Sequence, residues 1–259
     1  MPSWPNWPKP KFPPWRPSPS TAARCTNTKA SASRFFRAAA DGRRNSTIRR
    51  CSAGWGAFSD ASTPSARKNP FVHRPDLTIQ NFGEAPRDEL LKSPFLPPEL
   101  RDTWLSVVNQ ALDGVRRCFD RAGALPSIRL HGDVHSGNVL WTDAGPHFVD
   151  FDDARNGPAI QDLWMLLSGD AQAMARQFDH VLEGYEQFAD FNPASLHLVE
   201  ALRTLRLIHY AGWIAKRWID PAFPAAFGWF DTPRYWQDMI LALREQVALM
   251  DESPLARQF

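Results

Sequence analysis

The chain has 259 residues, 43% of them hydrophobic and 22% charged, with a formal net charge of +2; that length can bury a sizeable core, and the near-neutral total selects no nucleic-acid or membrane partner. Its three cysteines, Cys25, Cys51 and Cys118, are widely spaced and lack any CxxC or Cys/His pairing, which argues against a disulfide framework or structural zinc site and suits a reducing, cytoplasmic setting. No apolar run approaches the roughly 20 residues that span a bilayer, and no apolar secretory segment is found near the N-terminus.

The near-neutral total hides a split. Residues 1–70 carry 13 Lys and Arg against 2 Asp and Glu, leaving 17 basic and 26 acidic residues downstream. The same 70 residues contain no leucine, no valine and a single isoleucine, Ile48. So little aliphatic surface cannot offset the entropy of ordering a chain. This first unit therefore reads as a basic, largely disordered tail, a targeting or nucleic-acid-binding arm, or a stretch out of frame with the rest. It holds no nucleic-acid-binding module, so no such partner is expected. Leucine and valine return abruptly after Phe71, and residues 71–259 form the second unit.

From Pro97 a helical stripe is plain. Trp104, Val107, Val108, Ala111, Leu112, Val115 and Phe119 recur at helical spacing, and Gly123 is placed to end the helix. Two short apolar runs follow, Val139–Thr142 and His147–Phe151, with Asp143 and Gly145 in the connection. They predict a β-hairpin in which Gly145 is free to take positive φ. Helices are then expected over 159–168, 170–188, 195–218 and 233–250, the last striped by Trp236, Met239, Ile240, Leu243 and Val247. The Pro- and Gly-rich "DPAFPAAFGWFDTP" between the final two is a loop. The layout is α+β and mainly helical, with one short hairpin.

The chemistry concentrates in "LHGDVHSGNVLWTDAGPHFVDFDD", Leu130–Asp153. Asp133 and Asn138 are five positions apart on a loop, and a hairpin returning at Asp150 brings a second carboxylate near Asn138. One carboxylate and one amide oxygen at a hairpin mouth suit a hard cation such as Mg²⁺, which takes oxygen ligands and keeps several waters. Asp133 is left free as a base. That division of labour is what phosphoryl transfer requires. A different reading takes His131-x-Asp133-x-His135 as the ligand cluster of a metal hydrolase.

The residues resemble a known family. H-G-D-x-H-x-x-N, an apolar strand and then an aspartate form the signature of the kinase-like phosphotransferases that include aminoglycoside and choline kinases. The wider stretches "HRPDLTIQNFGEAPRDEL", "FVDFDDARNGPAIQDLWMLLSGD" and "RWIDPAFPAAFGWF" are similar to the bacterial stress response kinases of the RdoA type, which phosphorylate protein Ser/Thr hydroxyls. The resemblance covers about residues 71–255 and implies a protein kinase-like fold, represented mainly by its helical C-terminal catalytic lobe. It implies ATP as co-substrate, Mg²⁺, and a monomer acting on protein substrates. It makes Asp133 the catalytic base and His131 the residue that orients the catalytic loop. Asn138 and Asp150 become the metal ligands, His135 lines the phosphate side, and Asp162 braces the loop by accepting backbone N–H bonds. Aminoglycoside- or choline-like small molecules are the alternative acceptors, and a non-catalytic lobe is a further alternative.

Gly132 stands where many protein kinases have arginine, and no Ser or Thr lies between Asp150 and Asp162. Switching by phosphorylation of this segment is therefore not expected. The other half of a kinase site, a Gly-rich loop with a strand lysine and a helix glutamate, is not recognisable upstream. Gly54-Trp55-Gly56 has no strand before it, and no glutamate precedes Glu84. Weak MgATP binding by this chain, and exposed apolar surface where a second lobe would dock, are the expectations.

Overall fold

The computed structural model describes residues 69–142, 145–167 and 171–254. The readings of residues 1–68 and of Asp143 lie outside these. Helix α1, Ala85–Lys92, continues directly from a π-helical turn, Gln80–Glu84. Helix α2 runs from Pro98 to Ala122. Strand β1 is Ser127–Leu130, β2 is Val139–Thr142, β3 is Gly145–Phe148 and β4 is Arg155–Pro158. The helices that follow are α3, Ile160–Met165; α4, Ala171–Tyr185; α5, Val199–Arg217; α6, Ala222–Ala226; and α7, Pro233–Asp251. Among the described residues no helix is long and apolar enough to cross a membrane.

The predicted α2 stripe is the buried one, from Trp104 through Val115, and it packs against α7 and α5. Trp104 meets Trp236 of α7 edge to face, ring centroids 6.1 Å apart, and both indoles are fully buried. Gly123 ends α2 with φ of 66°, its N–H donating to the Phe119 and Asp120 carbonyls. Thr232 caps α7, its hydroxyl accepting from the Tyr235 N–H, and Pro233 takes the first helical position. Helices α2, α5 and α7 pack on one another as the helical core.

Several boundaries differ from the sequence reading. The second hairpin strand starts at Gly145, paired with Thr142, and ends at Phe148; Phe151 belongs to a 3₁₀ turn, Phe151–Asp153. Gly145 thus serves as a strand residue in a tighter hairpin. The start of α5 is delayed to Val199 by a 3₁₀ turn over Pro193–Leu198, with Asn192 capping that turn through Ala194 N–H. A second antiparallel pair, β1 with β4, has no counterpart in the sequence reading. Large exposed apolar side chains, Val72, Phe151, Ile219, Trp229 and Leu241, are spread over different segments of the described chain.

Candidate active site

The loop from His131 to Asn138 leaves β1 and enters β2. Its first turn is fixed from below by α3. The buried Asp162 carboxylate accepts the N–H of His131 at 2.8 Å and of Gly132 at 2.9 Å, one on each oxygen. Burial pushes this carboxyl up to about 6, against the opposing pull of those two N–H bonds. A raised value means the folded state binds the proton more tightly than the unfolded one. The contribution of Asp162 to stability is then full below its ordinary value of 3.8 and is lost as the pH rises through about 6. The melting temperature of the wild type relative to Asp162→Asn is expected to be most favourable in acid and to decline through that window, as thermal scans from pH 4 to 7 would show.

His131 is buried, and both of its ring nitrogens are committed. Nε2 lies 2.9 Å from the Val149 carbonyl, and Nδ1 accepts the Asp133 N–H at 3.3 Å. A backbone donor on Nδ1 places the ring proton on Nε2, which then donates to Val149. Phe151 tilts against the ring, centroids 4.6 Å apart. His131 thus ties the loop to the strand exit beyond β3. With both nitrogens used it has no lone pair for a zinc ion, and no group of three His, Cys, Asp or Glu among the described residues could hold a metal.

Gly132 has φ of 85°, and a Cβ there would lie 2.2 Å from the Asp153 carbonyl oxygen and 2.9 Å from Arg155 Nε. The residue is glycine because the backbone turns left-handed there and the Asp153–Arg155 turn packs on it. Arg155 is itself buried. It donates through Nε to the Asp153 carbonyl and through Nη2 to the Asp153 carboxylate, both at 2.6 Å, and its guanidinium stands 4.5 Å from the Phe82 ring centroid. The charged turn of Asp152, Asp153 and Arg155 is therefore a scaffold under the loop.

Asp133, Asn138 and Asp150 are gathered at one end of the hairpin. The Asp133 carbonyl accepts from the His135 N–H and from the Asn138 side-chain amide, each at 2.9 Å. The Asn138 carbonyl in turn accepts the Val149 N–H at 3.0 Å, which seats Asp150 next to it. Asn138 is buried, and its amide nitrogen is engaged by the Asp133 carbonyl. Asp150 is exposed and left-handed, with φ of 67°, the one non-glycine residue of positive φ among the described residues. Such a conformation carries a backbone cost on the order of 1–3 kcal/mol. His135 accepts the Gly137 N–H on Nδ1 at 3.0 Å, and its Nε2 lies 3.6 Å from Asp133 Oδ2. Burial, opposed by the Asp133 charge, lowers its affinity for a proton.

Two long-range contacts around the site were not foreseen. Arg206, on α5, holds Nη2 at 2.6 Å from Asp133 Oδ1, near enough for an ion pair but off the hydrogen-bond direction. Asn156, in β4, ties residues 71–77 to the sheet. It exchanges amide bonds with the Phe71 backbone at 2.8 and 3.0 Å, and donates to Asp76 at 2.7 Å. Neither has a local signal, because each acts on a segment more than 70 positions away.

Comparison with known proteins places the chain among kinases. Stress response kinase A of Salmonella choleraesuis (strain SC-B67) is 42% identical over 191 residues, 74% of this chain and 57% of that protein. Serine/threonine protein kinase RdoA of Salmonella typhimurium (strain LT2) matches with the same identity and coverage. The chain thus spans just over half the length of these curated relatives. Amicoumacin kinase hAmiN, solved with AMP-PNP, Ca²⁺ and Ami, superposes with a TM-score of 0.53 at 17% identity, covering 82% of this chain and 60% of that one. That likeness shows a shared protein kinase-like fold, of α+β class. The family model described as the phosphotransferase enzyme family matches residues 31–199. The match takes in the site residues from His131 to Asp162, stops short of Arg206, and reaches well upstream of Phe71. The chain belongs to the phosphotransferase enzyme family.

Proposed function

We propose that this chain is an ATP- and Mg²⁺-dependent phosphotransferase of the Ser/Thr protein kinase type, acting as a cytoplasmic monomer. The observation that carries the reading is the pinned loop. Asp162 and His131 fix its start, and the Asp133 carbonyl and Asn138 amide lock its two functional positions together. In this reading the Asp133 carboxylate takes the proton of an acceptor hydroxyl as its oxygen bonds to the γ-phosphorus, and ADP departs with the electrons of the broken P–O bond. His131 and Asp162 act on the loop's position and touch no reactant. His135 stands on the phosphate side of Asp133.

Asn138 and Asp150 would hold Mg²⁺, which when bound neutralises charge on the phosphates. The donor set fits a hard cation, which would take its remaining ligands from water and phosphate: one amide oxygen, whose amide nitrogen is held by the Asp133 carbonyl, and one exposed carboxylate. The Salmonella typhimurium relative is by name a serine/threonine protein kinase, which supports protein acceptors. Amicoumacin kinase, of similar fold and solved with Ami, keeps small-molecule acceptors as the second reading. A panel of protein and metabolite hydroxyls in a radiolabelled transfer assay separates the two.

The metal assignment makes its own prediction. Asn138→Ala and Asp150→Asn are each expected to raise the Mg²⁺ concentration for half-maximal transfer by at least about tenfold. A Mg²⁺ titration of initial rate at saturating acceptor measures this. An unchanged Mg²⁺ requirement in both variants would remove these residues from the metal site.

A further inference from the structure

Beyond Asp133 the surface of α5 is cationic and aromatic. Arg206, Tyr210, Trp213 and Arg217 follow one another at spacings of four, three and four, which puts them on one helix face. The rings are continuous. Tyr210 stacks on Trp213 with centroids 5.9 Å apart and planes 12° from parallel, and Arg217 stands 4.6 Å from the Trp213 centroid. Phe223 of α6 backs Trp213 at 5.0 Å. Tyr210 and Trp213 are half-buried, and Arg206 keeps 41% of its side chain exposed while facing Asp133. From Glu200 to Asp220 the sequence holds no acidic residue between, but it does hold Arg203, Arg206, Lys216 and Arg217. At about 1.5 Å per residue the strip is roughly 16 Å long, which matches about five residues of extended peptide.

We propose that this strip is the acceptor groove and that Arg206 determines specificity, selecting a hydroxyl acceptor with an acidic group beside the hydroxyl, in the form of an extended acidic Ser/Thr peptide. The inference rests on the phosphotransferase reading for the identity of Asp133 as base. Charge complementarity carries it: an acidic flank meets Arg206 at the base and Arg217 at the far end, with side chains over Tyr210 and Trp213 between. A guanidinium has five donors, so Arg206 can hold an acceptor carboxylate while it faces Asp133. A polycationic acceptor would bring like charges together at both ends, and the groove rejects it.

Binding can be read without catalysis, by Trp fluorescence and by anisotropy of labelled peptides in the full chain. The probes are a seven-residue peptide with a central serine flanked by aspartates, its lysine-flanked counterpart, and a small hydroxy acid. The aspartate peptide is expected to bind at least about tenfold more tightly than the lysine peptide, with an affinity that falls as salt rises. Arg206→Glu and Arg217→Glu should each weaken it about tenfold or more. Arg206→Lys should restore most of the binding, and Arg244→Glu, the same charge change on α7, should leave it unaltered. Equal binding of the two peptides, no binding of either, or an unaffected Arg206→Glu would overturn the inference. So would a small hydroxy acid that binds as tightly as the peptide, because the extended groove would then be idle. Charge-selective binding without phosphate transfer would leave the groove standing and remove the phosphotransferase reading. Transfer without charge preference would do the reverse.

Discussion

Asp133→Asn is expected to lower the rate of phosphate transfer by about 10²- to 10⁴-fold, the span associated with removing a positioned general base. The substitution keeps shape and volume. The hydrogen bonds that Asp133 makes within the loop run through its backbone, N–H to His131 and carbonyl to His135 and Asn138, while its carboxylate approaches His135 Nε2 only at 3.6 Å. These survive in asparagine, so the melting temperature should hold. The ion pair with Arg206 is lost, but it is a single contact on a partly exposed arginine, worth no more than about 1 kcal/mol. A fall in kcat with intact folding and little change in nucleotide affinity identifies a group that acts on the reacting hydroxyl. A parallel collapse of thermal stability would instead make Asp133 a structural residue.

Gly132→Ala should have the second large effect, through geometry and not chemistry. The methyl would sit 2.2 Å from the Asp153 carbonyl oxygen, a backbone atom that cannot rotate away, in a residue already at φ of 85°. Left-handed backbone alone costs a non-glycine residue roughly 1–2 kcal/mol. The collision adds to that by pushing apart the loop that bears Asp133 and the turn that leads from Asp150. A displacement near 1 Å between reacting groups can cost about 100-fold in rate, and a loss of that order in kcat is expected. Gly123→Ala is the matched control. Gly123 is also left-handed, at φ of 66°, but nothing lies within 4 Å of its missing Cβ, and it caps α2 away from the site. With ψ of −159° its backbone is one that glycine alone adopts readily, so the variant should lose roughly 1–3 kcal/mol of stability and keep its activity. Equal rates for Gly132→Ala and wild type would show that the loop tolerates the displacement.

The same residue shows what a sequence conveys and what it leaves out. Gly132 reads as the absence of an arginine, which bears on regulation; its packing under Asp153 is visible only once the chain has folded. The structure shows how short the segment after Asp150 is. From Asp150 the chain makes one 3₁₀ turn and enters β4, where Arg155 to Pro158 pair with Leu130 to Ser127. No free loop separates the site from α3.

Local patterns were legible. The α2 and α7 stripes follow from spacing, Gly123 from helix-stop chemistry, and the β2–β3 hairpin from two apolar runs around a turn. Their common feature is that the information lies within a few residues of where it acts. What failed was non-local. The β4 sequence Arg-Asn-Gly-Pro is poor in strand formers, and its pairing is held by tertiary contacts: the Asn156 side chain on Phe71 and Asp76, and the Leu77 N–H on the Asn156 carbonyl. The π-helical turn before α1 was hidden for a related reason, because Phe82 is fixed by His209 of α5, stacked 4.1 Å away, and by Arg155. Burial, then the Arg155 charge, drives His209 down to about 4, so that ring is neutral near pH 7 and can pack there as an apolar group. Arg206 reaches Asp133 across the fold, and nothing near it in the chain marks that role.

The central claim is that the loop of Asp133, Asn138 and Asp150 moves the γ-phosphate of ATP to a hydroxyl. Its most direct test follows γ-radiolabelled phosphate from millimolar MgATP, with phosphoamino-acid analysis of an acceptor protein for the wild type and Asp133→Asn. The account predicts label in phosphoserine or phosphothreonine with the wild type, and loss of that label with Asp133→Asn. Label appearing only as inorganic phosphate, or ester formation that Asp133→Asn leaves unchanged, would contradict it.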